Sequence, residues 1–505
     1  MTFFTLGYII RIVIYLIGDF KMLFNSYIFI FLFLPITLIG YFSFNHFSKT
    51  TLSKTWLLLM SLWFYGYFNV KYLPIILISI LFNFAASKIL LSDSRKSLRL
   101  IIFLVAISLN IGVLFYYKYL DFCIENINQI FNSDILLKKL VLPLGISFFT
   151  FQQLSYIIDS YKKSVPNYNF LDYSLFVTFF PQLIAGPIVL HDETIPQFAN
   201  SENLKFNYDN FSKGLYAFAL GLSKKVLVAD LFGKAVNLGF SDTDFFLNTT
   251  NGIIIMLSYT IQIYFDFSGY CDMSRGLGLM FNIDIPINFN SPYRAYTIMG
   301  FWKNWHITLT RFFTTYMYIP LGGNRKGKVK TYINNLLVFL TSGIWHGANW
   351  TFILWGFLHG IAIVVNKIFR IKIEKIPKAV LWILNFIFIN FTWLLFRADN
   401  VKQFLFIVKN FLFFSFEKPS VEIMEQFYTS TGLYLKDLVD IDSLSLIYVP
   451  SLLILAILAS TVFKNTNERL KSFKPNIKNS IISVFLITWS IISFSQVSTF
   501  LYFNF

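Results

Sequence analysis

Histidine is the residue type in this chain that could do chemistry. Five occur in 505 residues, and three of them, His306, His346 and His359, fall in one block between residues 302 and 359. A neutral imidazole can take a proton from a hydroxyl near pH 7, which makes histidine a usual general base for acyl transfer. A histidine beside tryptophan more often packs in a core or at an interface, so residue type alone does not decide between these roles.

His346 lies in TSGIWHGANW, residues 341–350, a short polar break between two hydrophobic segments. Polar groups at membrane depth are costly and are retained mainly where substrates or ions are handled. As a helix, residues 331–345 would span about 22 Å, which is less than a hydrocarbon core of about 30 Å. The sequence therefore predicts a hairpin whose tip carries His346 within the membrane.

His306 lies in FWKNWHITLTRFFTTYMYIPLGGNR, residues 301–325, where aromatic and polar positions recur with the period of a helix. Trp302 and Trp305 belong to the apolar face and Arg311 to the polar positions. We predict one helix from which His306 projects toward protein. It is either an amphipathic surface helix in which His306 packs, or a helix lining a site in which His306 orients a substrate or acts as a second base.

A third polar intrusion is SYTIQIYFDFSGYCDMSRGLGLMF, residues 258–281. Gln262 and Asp266 lie one turn apart, and Asp272 and Arg275 have the i, i+3 spacing of an ion pair. One interpretation is a structural ion pair inside the membrane, and the alternative is a wall of a substrate tunnel. In either case three glycines would allow close helix approach: Gly269, Gly276 and Gly278.

FFPQLIAGPIVLHDETIPQF, residues 179–198, interrupts what would otherwise be a long apolar helix. Pro181, Gln182, Gly186 and Pro187 supply the break. Broken helices inside membranes are tolerated where they are buried in protein or line a cavity. The segment is therefore a candidate for the wall of a site.

The sequence predicts no metal and no permanently bound cofactor. The His, Asp and Glu positions lack ligand spacing such as HExxH, and Cys123 and Cys271 are too few for a cysteine site. No dinucleotide fingerprint occurs. The basic stretch LGGNRKGK is weak as a phosphate cradle, although it could attract the phosphates of a coenzyme.

The fold that positions these segments is predicted to be that of a membrane protein. The chain is 56% hydrophobic and 13% charged, whereas soluble domains carry roughly 25% charged residues. Continuous rather than alternating apolar runs favour helices over a barrel. We predict an all-α polytopic bundle of about ten to twelve helices, several short or re-entrant, with clear spans at residues 27–44, 72–90, 100–117, 379–396 and 446–463.

The net charge of +16 falls largely in short loops, which marks the cytoplasmic side rather than a nucleic-acid surface. The basic loops 324–330 and 367–378 should both be cytoplasmic, so the hairpin tip with His346 points away from the cytoplasm. The acidic segment 417–442 should face outside. We expect residues 1–21 to be an N-terminal extension, with Met1 or Met22 as the start, and residues 22–505 to be a single membrane domain.

Residue patterns alone leave two classes open: a group transferase with an intramembrane histidine base, and a transporter with a proton relay of His and Asp. A series of motifs in order resembles the membrane-bound O-acyltransferase family, in its branch of alginate and peptidoglycan O-acetyltransferases. The resemblance runs from Met22 to the end of the chain, with core motifs in residues 176–366. The motifs are FFPQLIAGPIV, YFDFSGYCDM, INFNSPYRA, FWKNWHITLTRFF, YIPLGGNR, TSGIWHGANWTFILWGFLHG and FTWLLFRADN.

The resemblance implies a bundle around a central tunnel, with acetyl-CoA as the cytoplasmic donor and an exported polysaccharide hydroxyl as the acceptor. His346 matches the catalytic histidine, His306 the second histidine of this branch, and Trp345 and Asn349 would shape the site. A separate extracytoplasmic transferase is an implied partner, and the bacterial inner membrane is the implied location. A D-alanyl transferase for teichoic acid is the alternative. The other candidates to line the tunnel are Trp302, Trp305, Arg311, Asp266, Gln182 and Pro187.

Overall fold

The computed structural model describes residues 22–373, 375–428, 441–494 and 500–501, without the side chains of residues 441–445. Throughout these residues the regular structure is helical. The predicted N-terminal extension, residues 1–21, lies outside the described part of the chain. Residues 429–440 of the acidic segment lie outside it as well.

The first third of the chain folds into long apolar helices joined by short loops. A π-helical turn, Phe29–Phe33, opens the first helix and is followed by Pro35 at the start of its α-helical part. Pro74 lies in the first turn of the third helix and marks where it begins. The helices are α1 (Phe29–His46), α2 (Thr50–Phe68), α3 (Leu73–Leu91), α4 (Lys96–Lys118), α5 (Leu120–Phe131) and α6 (Ile146–Tyr161).

The helices in the middle of the chain range from four to 32 residues in length. They are α7 (Phe170–Thr178), α8 (Phe180–Leu183), α9 (His191–Ala199), α10 (Tyr208–Ser223), α11 (Asp230–Ser241) and α12 (Thr249–Met280). The predicted break is confirmed, because α8 is a single turn with Pro181 near its start, and irregular chain follows to residue 190.

Helix α12, with 32 residues, runs through the centre of the molecule and contributes to two large apolar cores. It packs on α10 through glycines. A Cβ on Gly276 would lie 2.6 Å from the carbonyl oxygen of Gly214, and one on Gly269 would lie 2.8 Å from that of Gly221. The predicted close approach is confirmed at these two positions, since only glycine lets the backbones come so near.

The third group of helices carries two of the three clustered histidines. It comprises α13 (Ile298–Trp302), α14 (Ile307–Phe313), α15 (Lys328–His346), α16 (Trp350–Ile368), α17 (Arg370–Ile373) and α18 (Lys378–Arg397). The prediction of one continuous helix from residue 301 was wrong. The chain turns at residues 303–306, where His306 adopts a left-handed conformation with φ 44°.

Helix α15 also differs from its predicted length. It begins at Lys328 and has 19 residues, or about 28 Å, which is longer than predicted but still slightly less than a membrane core of about 30 Å. The predicted hairpin with α16 is confirmed. His346 is the last residue of α15, and residues 347–349 form the tip.

The chain closes with α19 (Val401–Phe411), α20 (Val421–Glu425), α21 (Ile441–Thr461), α22 (Thr466–Lys471) and α23 (Ile477–Ile492). Among the described residues, five helices can cross a membrane by length and composition: Phe29–His46, Val70–Leu91, Lys96–Lys118, Trp350–Ile368 and Lys378–Arg397. Leu446–Thr461 and Ile477–Ile492 are shorter apolar helices. The protein is therefore an all-α multi-pass membrane protein, and the total of ten to twelve spanning helices stays a prediction.

The predicted pairing of Asp272 with Arg275 was wrong. Asp272 accepts hydrogen bonds from Lys224 at 2.6 Å and from the Thr466 hydroxyl at 2.6 Å. Arg275 pairs instead with Asp284 at 3.0 Å. Asp272 and Arg275 each find a partner outside α12, so their spacing within the helix does not decide the pairing.

Candidate active site

The hairpin of α15 and α16 places His346 at its tightly packed end. A Cβ on Gly343 would clash with the carbonyl oxygen of Phe352, and one on Gly356 would clash with that of Phe339. The two helices can therefore touch backbone to backbone only because both positions are glycine. Gly343 lies one turn before His346, so this contact fixes the part of α15 that carries the histidine.

Aromatic rings enclose the His346 side chain, which is 3% exposed. The ring centroid of His346 lies 5.0 Å from that of Trp345, 5.2 Å from Trp355 and 5.3 Å from Phe396. All three rings meet the imidazole at a steep angle. The enclosure keeps bulk water from most of the imidazole surface.

His306 is held by Asn288, which precedes it by 18 residues. The Asn288 Oδ1 atom accepts hydrogen bonds from the backbone N–H of Thr308 at 3.2 Å and from its hydroxyl at 3.0 Å, and it lies 3.1 Å from His306 Nδ1. A backbone N–H can only donate, so an oxygen must face it, and His306 Nδ1 must then carry a hydrogen. This tautomer makes Nε2 the basic nitrogen of His306.

Trp345 joins the two histidines. Its ring centroid lies 5.0 Å from that of His346 and 6.1 Å from that of His306. Phe148 packs against both Trp345 and His306. The structure thus brings His306 together with Trp345 and His346, which the sequence also singled out, although His306 comes from a separate segment.

His359, the third histidine of the block, is engaged through both ring nitrogens. The Trp302 indole donates to His359 Nδ1 at 3.2 Å. The Thr392 hydroxyl donates to the Ile389 carbonyl at 2.9 Å, so it accepts from His359 Nε2 at 3.0 Å. His359 is fully buried and serves as a polar link between α13, α16 and α18.

A small cavity of about 40 Å³ reaches His346 at the end of α15. Its walls come from the end of α4, the segment before α6, the broken helix near Ile184, and the end of α15. Its side chains with polar groups are Lys118, Ser147, Trp345 and His346. A site for one water needs roughly 10–15 Å³, so this cavity admits a narrow group rather than a ring.

Two larger cavities open toward the other end of α15. One has a volume of about 920 Å³ and is lined by Asn324 and Thr331 near the start of α15. The second, of about 290 Å³, shares Met299, Lys303 and Lys367 with the first, and so continues it inward. The inner cavity is lined mainly by apolar side chains.

The inner cavity ends close to His346. Ser342, on its wall, precedes His346 by one helical turn and shares its face of α15. Trp302, also on the wall, contacts Trp355 at 5.6 Å between centroids, and Trp355 contacts His346. The small cavity thus reaches His346 itself, and the inner cavity ends one helical turn away from it, with Trp355 between them.

The outer cavity carries an excess of positive charge. Four cations line it, Arg294, Lys303, Lys367 and Arg370, against one carboxylate, Glu468. The hydrogen bond from Arg294 lowers the pKa of Glu468, and the backbone N–H of Asn465 adds to the effect. Arg294 is held by Glu468, and the excess of positive charge in the lining favours an anionic, phosphate-bearing ligand.

Arg311 and Asp266, two predicted wall residues, form ion pairs with other side chains. The Arg311 guanidinium binds Glu193 with two nitrogens and donates to the Ile188 carbonyl at 3.1 Å. Asp266 accepts from Lys225 at 2.6 Å, and the side chains of that pair are each 2% exposed. These contacts tie Arg311 to the chain after the broken helix, and Asp266 to the segment after α10.

The other residues that were predicted to line the tunnel or shape the site pack within the helical framework. Trp305 is 2% exposed and stacks on Phe301 at 5.4 Å between centroids. The Gln182 amide donates to the Phe176 carbonyl at 2.8 Å, and Pro187 is buried in the irregular segment that follows α8. Asn349 caps α16 by accepting from the Thr351 N–H and donates to the Asp399 carbonyl at 2.7 Å.

Sequence reasoning missed Asn288, Lys118 and Lys225. Asn288 stands inside the motif INFNSPYRA, so its polar character in an apolar context was visible. Lys118 directly follows a predicted span, where a lysine is ordinarily an interface residue. Lys225 is followed by apolar residues, and only the fold shows its pairing with Asp266 and Asp230.

Comparison with known proteins agrees with this architecture. The family model of the membrane-bound O-acyltransferases matches residues 132–408. The chain is 46% identical over 430 residues to the peptidoglycan O-acetyltransferase of Helicobacter pylori, covering 79% of this chain and 81% of that protein. It is 36% identical over 394 residues to the probable alginate O-acetylase AlgI of Azotobacter vinelandii, covering 75% and 76%. The teichoic acid D-alanyltransferase of Streptococcus thermophilus is 26% identical over 247 residues, covering 46% and 59%.

The chain therefore belongs to the membrane-bound O-acyltransferase family, and it is an acyltransferase. The resemblance seen in the sequence is confirmed. Among the described residues, no group of three or more His, Cys, Asp or Glu side chains gathers that could hold a metal ion.

Proposed function

We propose that this enzyme moves acetyl groups from cytoplasmic acetyl-CoA toward hydroxyls of an exported cell-envelope polysaccharide, in a bacterial inner membrane. The observation that carries the proposal is the position of His346, which lines the small cavity and lies one helical turn from the inner cavity that opens toward the other end of α15. A base in that position can serve a donor and an acceptor that arrive from opposite directions.

The donor would occupy the two larger cavities. Coenzyme A carries three phosphates and an extended pantetheine arm, so it suits a basic outer cavity that narrows into an apolar one. The outer cavity lies beside the basic loops 324–330 and 367–378, which the charge rule places in the cytoplasm. The thioester would then extend past Trp302 and Ser342 toward His346.

The acceptor would come through the small cavity. His346 takes the proton of the acceptor hydroxyl, whose oxygen attacks the thioester carbonyl carbon; the C–S bond breaks and the thiolate takes up the proton. The products are an O-acetyl ester and the free thiol of coenzyme A. His306, with Nδ1 protonated toward Asn288, would orient or polarise a reactant through Nε2, while Trp345 and Asn349 would shape the site.

The width of the small cavity favours a thin acceptor. At about 40 Å³ it takes a hydroxyl on a side chain more readily than a sugar ring. This supports a route in which an extracytoplasmic partner transferase accepts the acetyl group first and passes it to the polysaccharide. Direct transfer to a sugar would require the segment before α6 to move.

The relatives guide the choice of final acceptor. The identity of 46% to a peptidoglycan O-acetyltransferase, against 36% to an alginate O-acetylase, supports peptidoglycan. The D-alanyltransferase relative, at 26% over less than half of the chain, gives the teichoic acid alternative less support. Membership of an acyltransferase family likewise favours a transferase over the transporter that residue patterns left open.

The proposal is tested in membranes that contain matched amounts of folded wild type, His346→Ala and His306→Ala. Acetyl-CoA consumption and O-acetyl content of the cell-wall polysaccharide are measured together. Removing a general base costs about 10²- to 10⁴-fold in rate, so His346→Ala should lose both signals. His306→Ala should reduce them.

The matched control is His46→Ala, because His46 is exposed at the end of α1, far along the chain from the hairpin. It should behave as wild type. Full activity in a well-folded His346→Ala variant would refute the assignment of the base. Consumption of acetyl-CoA without any O-acetylated product would refute the proposed acceptor.

A further inference from the structure

The last turn of α15 needs hydrogen-bond donors from elsewhere. A helix leaves its final carbonyl groups without intrahelical partners, and α15 ends at His346, after which Gly347 is extended with φ −167° and ψ 154°. The carbonyl groups of Ile344, Trp345 and His346 belong to this turn. Their partners determine how firmly the end of the helix is held.

Two consecutive residues at the end of α4 supply those donors. The Lys118 ammonium donates to the carbonyl of Trp345 at 2.6 Å and to that of His346 at 3.1 Å. The Tyr119 hydroxyl donates to the carbonyl of Ile344 at 3.0 Å. Three successive carbonyl groups of the helix that carries His346 are thus bound by a distant segment.

Lys118 also belongs to the cavity that reaches His346. Its ammonium lies 3.5 Å from the Ser147 hydroxyl and 5.8 Å from the Trp345 ring centroid, and it lines the same cavity as both. A cation at a helix C-terminus interacts favourably with the helix dipole. Water could satisfy the carbonyl groups at an open cavity, but it would not fix their position.

We propose that Lys118 is a positioning residue for the acyl transfer reaction, acting through the backbone of Trp345 and His346. By joining two adjacent carbonyl groups to the end of α4, its ammonium sets the direction in which the imidazole projects between the two sets of cavities. Tyr119 assists by holding the preceding carbonyl. This inference rests on the proposed role of His346 as the base.

The test compares Lys118→Met, which removes all donors, with Lys118→Gln, which keeps one amide donor. Lys88→Met is the matched control, since the Lys88 ammonium also donates to a backbone carbonyl, that of Tyr168 at 2.7 Å, and lies over an aromatic ring. For each variant the amount of folded protein, kcat and the KM for acetyl-CoA are measured. His346→Ala is assayed in the same set.

Misplacing a reacting group by about 1 Å can cost on the order of 100-fold in rate. We expect kcat per folded molecule to fall about 10- to 100-fold in Lys118→Met and less in Lys118→Gln. The KM for acetyl-CoA should be unchanged, because the donor cavities lie on the other side of the histidine. Lys88→Met should change only the amount of folded protein.

The inference is overturned if Lys118→Met keeps the wild-type kcat, or if its defect is confined to the amount of folded protein or to the donor KM. An inactive His346→Ala beside a fully active Lys118→Met would reject this inference alone. A fully active His346→Ala would instead reject the proposed function on which it rests.

Discussion

Substitution of Asp266 tests whether this polar residue of α12 stabilises the fold or takes part in the reaction. Its carboxylate is buried, accepts from Lys225 at 2.6 Å, and also accepts from the backbone N–H of Leu501 at 3.0 Å. Lys225 has a second partner in Asp230 at 2.8 Å, whose side chain is 28% exposed. These contacts predict that Asp266 stabilises the fold and takes no part in acyl transfer.

The expected cost follows from burial. Removing one partner of a buried ion pair costs about 3–5 kcal/mol because a charge is left without compensation. In Asp266→Asn, Lys225 keeps Asp230 as a counter-ion, so we expect the lower end, about 3 kcal/mol. In Lys225→Met combined with Asp266→Asn, neither buried charge of the Asp266–Lys225 pair remains, and the loss should be smaller than the sum of the two single losses.

The assay is thermal unfolding in detergent, together with kcat per folded molecule, for the two single variants and the double variant. Asp93→Asn is the control, because Asp93 forms a comparable 2.7 Å pair with Lys163 but is fully exposed. It should unfold like wild type. A stable Asp266→Asn variant whose kcat is strongly reduced would show that the carboxylate serves the reaction as a tunnel wall, and would refute the structural argument.

Two further predictions concern the cavities and the hairpin. Lys303→Glu should raise the KM for acetyl-CoA several-fold with kcat unchanged, and added salt should reduce the difference from wild type. The control is Lys96→Glu, because Lys96 is exposed and lies outside the cavity. Equal KM values for the Lys303→Glu and Lys96→Glu variants would contradict the proposed donor route. Gly356→Ala should reduce the amount of folded protein and its activity, because a Cβ at this position meets the Phe339 carbonyl. Gly112→Ala, where a Cβ would have no atom within 4 Å, should leave stability unchanged or raise it. A Gly356→Ala variant with wild-type stability and activity would mean that α15 and α16 can separate without loss of function.

Composition and apolar runs predicted the fold class because both follow from local sequence. Four of the five predicted spans coincide with helices long enough to cross a membrane, and the fifth, residues 446–463, matches the shorter helix Leu446–Thr461. The hairpin with His346 near its tip was predictable for the same reason. Basic residues flank it, and a polar break divides two apolar segments.

The predictions that were wrong concerned features that depend on contacts with residues distant in the sequence. Periodicity predicted a continuous helix through His306, but Asn288 holds Thr308 and the imidazole, and the chain turns there instead. Spacing suggested an ion pair of Asp272 with Arg275, but Lys224 reaches Asp272 from 48 residues away. Lys118 meets the His346 carbonyl across 228 residues. Such contacts have no local signal, because packing of whole helices creates them.

The enclosure of His346 can protect a thioester donor beside this base from hydrolysis. Water that reached the imidazole could attack the donor in place of the acceptor, and closed sites suppress such side reactions by excluding it. His346 is 3% exposed behind Trp345, Trp355 and Phe396, and the small cavity that it lines holds only a few waters. On the proposed function, the narrow cavity would therefore select a thin acceptor and also limit hydrolysis. Replacing a ring of the enclosure by a smaller side chain, as in Phe396→Ala, should raise acetyl-CoA hydrolysis relative to transfer, and an unchanged ratio would show that water is excluded by other means.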